Sequence, residues 1–236
     1  MNHRSLLGIP WTALAIFVVL ALVFVCFPTI DLWFAGFFSD PGTLFHQNNP
    51  WPIRVIYYSV EVLSIVTVAA LIILLSTVLI RRRPFWGLTA KGLAFLLLAL
   101  ALGPGLVVNE ISKNVWGRAR PVHIEQFGGK ARFTPAFVFS DECQGNCAFV
   151  SGHASFGFYF VAFALYFRRH RHLWFALAIG YGGLIGFGRM YQGGHFLSDV
   201  IFSFYFVYFP VRMLYYAMFQ RGGRSSPGLR ATRPRA

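Results

Sequence analysis

Gly188-Arg189-Met190-Tyr191-Gln192-Gly193-Gly194-His195-Phe196-Leu197-Ser198-Asp199 decides how this chain is read, because it lies between two strongly apolar segments and sets an arginine, a histidine and an aspartate at fixed intervals. A helix that starts near the paired glycines puts His195 and Asp199, four residues apart, on one face. The carboxylate then holds the imidazole. A histidine oriented by an acid, with an arginine six residues upstream, suits a nucleophile that attacks an anionic centre such as a phosphate ester.

Outward from that stretch the apolar character continues. Of 236 residues, 56% are hydrophobic and 12% charged, with 27 Phe and a mean hydropathy of +0.57, more than one soluble core can hold. The fold expected is an all-α polytopic membrane protein with no sheet. A span needs about 20 mostly apolar residues, and six segments are candidates: 9–27, 55–80, 90–108, 153–167, 172–187 and 199–219. The fourth and fifth are short, so their ends should reach the headgroup zone or pack against neighbours. The first has a long apolar run and no small-x-small cleavage pattern, which reads as an uncleaved anchor. Residues 1–220 thus form one six-helix transmembrane domain, and 221–236 a basic tail, rich in Arg, Gly, Ser and Pro, expected to be disordered.

The net charge is +13, and its distribution matters more than its sign. With six spans and an internal N-terminus, one side receives 14 of the 21 basic residues, from Arg4, the Arg81–Arg83 and Arg168–Arg171 turns, Lys91, Arg212 and the tail. All eight acids fall within spans or toward the other side. The positive-inside rule makes both termini cytoplasmic. Because these arginines flank spans, their expected partners are anionic headgroups and not nucleic acid.

The opposite, external side holds the chemistry. Residues 28–54, with four prolines and Trp33 and Trp51, suit chain lying along the interface. Glu61, one to two turns inside the second span, is costly in hydrocarbon unless paired or near the surface. Gly103-Pro104-Gly105 predicts a kink that aims Glu110 and Lys113 at the site. The long loop from Asn114 to Val150 carries Arg118, Arg120, Lys130 and Arg132, the densest basic cluster outside the cytoplasm. Cys143 and Cys147 lie in the same loop; in an oxidising compartment two cysteines four apart in a turn can be bridged, a pair of reduced thiols being the alternative. No histidine stands nearby at ligand spacing, so a metal site is not expected there.

Three stretches therefore share one side: Lys113-x6-Arg120-Pro121 after the third span, Ser151-Gly152-His153 opening the fourth, and Arg189-x5-His195-x3-Asp199 between the fifth and sixth. Phosphoryl transfer requires charge spread over the equatorial oxygens, an in-line nucleophile and a proton for the leaving alkoxide. Lys113, Arg120 and Arg189 supply positive charge, and the Ser151 and Gly152 backbone N–H groups supply directed donors. His195 is the candidate nucleophile, Asp199 the group that sets its tautomer, and His153 the candidate acid and later base. Singly, a histidine at a helix start is an ordinary capping residue and an interfacial arginine snorkels; the joint spacing carries the reading. Arg118, Lys130, Arg132 and Glu110 are open between headgroup contacts and structural charges, and His46, His123, His170 and His172 fall outside the catalytic set.

On these residues the chain resembles the type 2 phosphatidic acid phosphatase superfamily of membrane lipid phosphatases, over roughly residues 90–215. Asp31-Leu-Trp-Phe-Ala-Gly, Gly103-Pro-Gly-Leu-Val-Val-Asn, Gly117-Arg-Ala-Arg-Pro, Asn146-Cys-Ala-Phe-Val-Ser-Gly and Gln192-Gly-Gly-His-Phe are similar to its bacterial lipid A 4′-phosphatase branch. One departure is Val150, where the family commonly has proline before Ser-Gly-His. The resemblance implies a haloperoxidase-like helical core, the same residue roles, a phosphohistidine intermediate, no metal and no cofactor. The partner it implies is a membrane lipid with a phosphate headgroup, and the location the periplasmic face of a bacterial inner membrane. The 4′-phosphate of lipid A is the substrate expected, with phosphatidylglycerophosphate or undecaprenyl pyrophosphate as alternatives. A transporter or lipid-binding protein, the alternative from another class, would leave all three stretches unexplained.

Overall fold

The computed structural model describes residues 5–39, 45 and 50–221. The tail expected from 221 onward therefore lies outside the described residues except for its first residue, as does His46.

The chain begins with a two-residue ladder, β1 (Ser5–Leu6) against β2 (Ile9–Pro10). The expectation of no sheet is corrected to that extent. Gly8 makes the turn at φ +86°, and the Arg212 guanidinium donates to its carbonyl (2.8 Å from Nε), which ties the turn to the end of the last helix. Helix α1 (Trp11–Cys26) stops before Pro28, whose ring cannot continue the hydrogen-bond ladder, and α2 (Thr29–Gly36) leaves at 81°.

Helix α3 (Trp51–Arg81) carries Pro52 in its first turn, where no N–H is needed, and ends on Arg82 in the left-handed conformation. At 31 residues it is roughly 46 Å long at 1.5 Å per residue. Its flanks expose Val62, Ile65, Ile73 and Ile80, the surface expected of a helix solvated by hydrocarbon. Helix α4 (Ala90–Leu100) is capped by the Thr89 hydroxyl, which accepts from the Gly92 N–H at 3.1 Å. The kink expected at Gly103-Pro104-Gly105 takes the form of a π-helical stretch, Ala101–Ser112, continuing into the short α5 (Lys113–Val115). Pro104 offers no N–H, and the wider coil accommodates it; π-turns of this kind recur at functional sites.

After the loop 116–151 come α6 (Gly152–Phe158), α7 (Val161–Tyr166), α8 (Arg171–Tyr191) and α9 (Leu197–Tyr215), the last running on as a π-turn, Tyr216–Gln220. Among the described residues four helical segments are long and apolar enough to cross a bilayer: Trp51–Arg81, Ala90–Val115, Arg168–Tyr191 and Leu197–Gln220. Counting the bent α1–α2 pair as one span makes five. The expected span 153–167 departs most from the sequence reading, because it breaks at Tyr159 and Phe160 into two helices each too short to cross alone. The Tyr159 hydroxyl donates to the Leu96 carbonyl (2.9 Å), and the small residues Gly152, Ala154, Ser155, Gly157, Ala162 and Ala164 are buried. This segment is the centre of the bundle, not a lipid-facing rod.

Close approach explains the glycines of α8. A side chain on Gly157 would come 2.5 Å from the Gly182 backbone, and one on Gly186 would run into Val200. Small residues at such crossings let helices associate where lipid supplies no hydrophobic drive. Around them Phe95, Leu96, Ala99, Val108, Phe149, Phe202, Val207 and Val211 form one continuous core.

Candidate active site

The site is built on the start of α9. Phe196 is its N-cap, and the Asp199 carboxylate accepts from the Phe196 N–H at 2.7 Å, the acidic half of a capping box. His195 therefore precedes the helix, which corrects the expectation that both residues lie on one helical face. The Gly193–Gly194 turn makes this possible. Gly193 has φ +65° with the Phe45 ring against it, and a side chain on Gly194 would strike the Arg189 guanidinium at 2.5 Å.

His195 is buried. Its Nδ1 is 2.8 Å from the Ala148 carbonyl and 3.6 Å from the Asp199 carboxylate, beyond hydrogen-bonding distance. A carbonyl can only accept, so Nδ1 carries the proton and Nε2 keeps its lone pair. The expected tautomer-setting contact from Asp199 is thus made by Ala148, and Asp199 acts on the ring through its charge. Burial brings the His195 pKa down to about 4, Arg189 and Arg120 adding to the depression while Asp199 opposes it. The ring is neutral at neutral pH.

Asp199 is held in turn by Arg118, whose Nη1 donates to Oδ1 at 2.6 Å. Arg118 is 1% exposed; it also donates to Thr134 O, Ser198 Oγ and the Asp31 carboxylate, each at 2.8 Å, and lies 4.3 Å over the Phe196 ring. Such a residue reaches no headgroup. The structural role, one of the two left open for Arg118, is what the geometry supports. Asp31, on α2, is fully buried and accepts from Arg118, the Ser198 N–H (2.9 Å) and the Ser198 hydroxyl (2.6 Å). Two carboxylates thus flank one guanidinium directly behind His195.

Three half-buried cations, Lys113, Arg120 and Arg189, lie within electrostatic reach of one another, the last two also of the imidazole. Lys113 donates to Asn146 Oδ1 and Arg120 Nη2 to Asn146 O, both at 2.8 Å, so one residue in a left-handed turn braces both. Burial lowers the Arg120 pKa, opposed by Asp199 and Tyr57. Arg189 donates to Gln192 Oε1, while its buried Nε has no hydrogen-bond partner among the described residues. Gly152 makes room for Lys113, since a side chain there would run into Asn109 and stand 2.8 Å from the Lys113 ammonium. His153 lies within electrostatic reach of Arg189, His195, Lys113 and Arg120. Lys113, Arg120, Ser151, Gly152, His153, Arg189, His195 and Asp199 are all brought together.

One expected donor is otherwise engaged. The Ser151 N–H bonds to the Asp199 carbonyl at 3.1 Å, and its hydroxyl accepts from the Ala154 N–H at 3.4 Å, capping α6. The first-turn N–H groups of Gly152 and His153 precede the intrahelical ladder. Lys130 and Arg132 are exposed in the outer loop, Arg132 pairing with Glu142 at 3.9 Å. Glu61 and Glu110 are exposed and stand outside the cation ring. Cys143 and Cys147 are joined as a disulfide with Cα atoms 5.7 Å apart; the Cys147 N–H donates to Lys113 O (3.3 Å) and the Ala148 N–H to Arg118 O (2.9 Å), stitching this loop to the first stretch. Among the described residues no three His, Cys, Asp or Glu side chains are grouped as metal ligands.

A groove of about 440 Å³ leads away from Lys113 and His153 between α3, the π-helical stretch and α6, its far end lined by Val60, Val68, Leu100 and Phe156. Sequence reasoning missed Asp31, Asn146 and the Ala148 carbonyl as parts of the site. An aspartate in an apolar helix was the available signal for the first; Asn146 holds Lys113 with its side-chain oxygen and Arg120 with its carbonyl, and the Ala148 carbonyl acts through backbone geometry that no residue pattern announces.

A family model described as PAP2 superfamily matches residues 92–222. A lipid A 4′-phosphatase of Francisella tularensis subsp. novicida (strain U112) is 37% identical over 204 residues, 85% of this chain and 91% of its own length. A lipid A 4′-phosphatase of Rhizobium leguminosarum is 36% identical over 48% of each chain. A lipid A 1-phosphatase of Rhizobium etli is 40% identical over 41% of this chain and 38% of its own. No solved structure gives a significant match.

Proposed function

As the chain belongs to the PAP2 superfamily and is a membrane lipid phosphatase, we propose that it removes the 4′-phosphate of lipid A at the periplasmic face of the bacterial inner membrane through a phosphohistidine. One observation carries the mechanism: a buried, neutral His195, its Nδ1–H spent on Ala148 O, keeps its Nε2 lone pair while the ring stands within electrostatic reach of Arg189 and Arg120.

In this reading the three cations and the Gly152 and His153 N–H groups take the phosphoryl oxygens. The Nε2 lone pair attacks phosphorus, the P–O bond to the lipid breaks, and His153 gives its proton to the departing alkoxide. The phosphorylated ring, still protonated at Nδ1, carries positive charge, which the Asp199 carboxylate 3.6 Å away stabilises. His153 then takes a proton from water, the hydroxyl oxygen attacks phosphorus, and the N–P bond breaks to release inorganic phosphate. No cofactor takes part.

The apolar groove supports a substrate that stays in the membrane, and exposed Lys130 and Arg132 offer outer contacts to its headgroup. The lipid A 4′ assignment leans on the 4′-phosphatase match over 85% of the chain, since the 1-phosphatase match spans only 98 residues. We further read six crossings, with α1 and the α6–α7 pair each counted once, both termini cytoplasmic, residues 1–220 as one domain and 221–236 as its tail.

The test uses purified enzyme and bisphosphorylated lipid A. Mass spectrometry should find loss of the 4′-phosphate, and labelled phosphate should be trapped on protein, stable to alkali and released by acid, in wild type but not in His195→Ala. Label retained by His195→Ala, or loss of the 1-phosphate only, refutes the corresponding half of the reading.

A further inference from the structure

Tyr57 belongs to none of the three stretches, yet it is built into the site. It lies on the second turn of α3. Its ring stacks on the His153 imidazole with centroids 4.6 Å apart and planes at 29°, while the Arg189 guanidinium carbon sits 5.2 Å from the same ring. The phenol is also within electrostatic reach of Arg120. Tyr57 is half-buried, and it is the aromatic surface against which the acid and one of the phosphate-binding cations are both set.

We propose that Tyr57 is a positioning residue for leaving-group protonation: its ring face fixes the plane of the His153 imidazole and supports the imidazolium form that donates the proton. The physical need is specific. His153 must carry a proton in a half-buried place among Lys113, Arg120 and Arg189, where burial first and these cations next disfavour a positive charge. An aromatic face presents the negative part of its quadrupole, which attracts a cation stacked on it. A stacked ring also removes rotation about the imidazole's last torsion, which is otherwise broad. Both effects belong to the π-face and neither to the hydroxyl. The inference rests on the reading of His153 as the acid.

The test measures kcat/KM, which reports the first phosphoryl transfer whatever limits later turnover, on two substrates: the lipid phosphate, whose alkoxide needs a proton, and a nitrophenyl phosphate, whose phenolate does not. Tyr57→Leu should lower kcat/KM on the lipid about 10-fold, the low end of what general acid catalysis contributes, and leave the nitrophenyl substrate within about 2-fold. Tyr57→Phe should restore the lipid rate. If the Leu variant does not accumulate, Tyr57→Met removes the flat ring at similar bulk. Equal losses on both substrates, no loss on either, or a Phe variant as poor as Leu would overturn the proposal. His153→Ala separates the two readings. If it shows no leaving-group dependence the acid assignment fails and this inference with it; if it does and Tyr57→Leu does not, only the inference fails.

Discussion

Replacing Asp31 by alanine strikes a residue far from the reacting phosphate, and the consequence can be worked from its contacts. The carboxylate is fully buried and accepts from Arg118 Nη2 (2.8 Å), Ser198 N–H (2.9 Å) and Ser198 Oγ (2.6 Å). Removing it leaves Arg118 paired with Asp199 alone and takes the acceptor away from two buried donors, Arg118 Nη2 and the Ser198 N–H of the first turn of α9. Leaving a buried donor without its acceptor costs about 1–3 kcal/mol, so the two together cost about 2–6 kcal/mol. On the scale of roughly 2–4 °C per kcal/mol for a soluble chain of 150–250 residues, the expected fall in Tm is about 4–24 °C. Asp31→Asn should cost less, because the amide oxygen can still accept from the Ser198 N–H and the Ser198 hydroxyl can turn to accept from the amide, but the charge beside Arg118 is lost. Activity should fall through kcat more than KM, since Arg118 touches Asp199 and not the site of the substrate. Thermal unfolding in detergent, with kcat and KM on the surviving fraction, gives both readings. A Tm within about 3 °C of wild type together with unchanged kcat would refute the argument.

Gly152→Ala places a methyl 2.8 Å from the Lys113 ammonium and into Asn109, so Lys113 must swing away; kcat/KM on any phosphate monoester should fall about 10-fold or more, roughly the loss of one charged hydrogen bond, with Tm little changed, and unaltered kinetics would count against Lys113 as an oxyanion contact. For His195, the folded pKa near 4 lies below the ordinary value of about 6.5, so the unfolded chain binds the extra proton between those values and stability should decline as pH falls from 6.5 toward 4; the decline should shrink in His195→Asn, as read by Tm at pH 7 and pH 5. Asp199→Asn should lower kcat by less than the roughly 10⁴-fold seen on losing a triad aspartate, because Ala148 O still holds the Nδ1 proton. Reporter fusions after Arg83 and Ala131 should report opposite sides of the membrane, and the same side for both would end the six-crossing topology.

The residues that meet at the candidate site were legible in the chain because each brings a chemical type that phosphoryl transfer needs, and their spacing survives folding as an order along the sequence. Arg189, His195 and Asp199 could be read as one unit, and with Lys113, Arg120 and Ser151-Gly152-His153 they pointed to one cluster, which the folded chain brings together. The apolar runs likewise announced helices, and Gly103-Pro104-Gly105 announced a distortion whose form, a π-helical stretch, depends on neighbours. What tertiary structure alone decided is which atom holds which. The Nδ1 proton goes to a carbonyl 47 residues away, because backbone acceptors carry no residue signature. Arg118 turns inward because Asp31, 87 residues earlier, waits in the core, and a sequence read by hydropathy sees an arginine in a loop as exposed. The segment 153–167 breaks into α6 and α7 because its small residues let α8 and α9 close upon it, and crossing length follows from that packing, not from the apolar count. Tyr57 is one aromatic among many in the chain; only the approach of α3 to α6 and α8 sets its ring against His153 and Arg189.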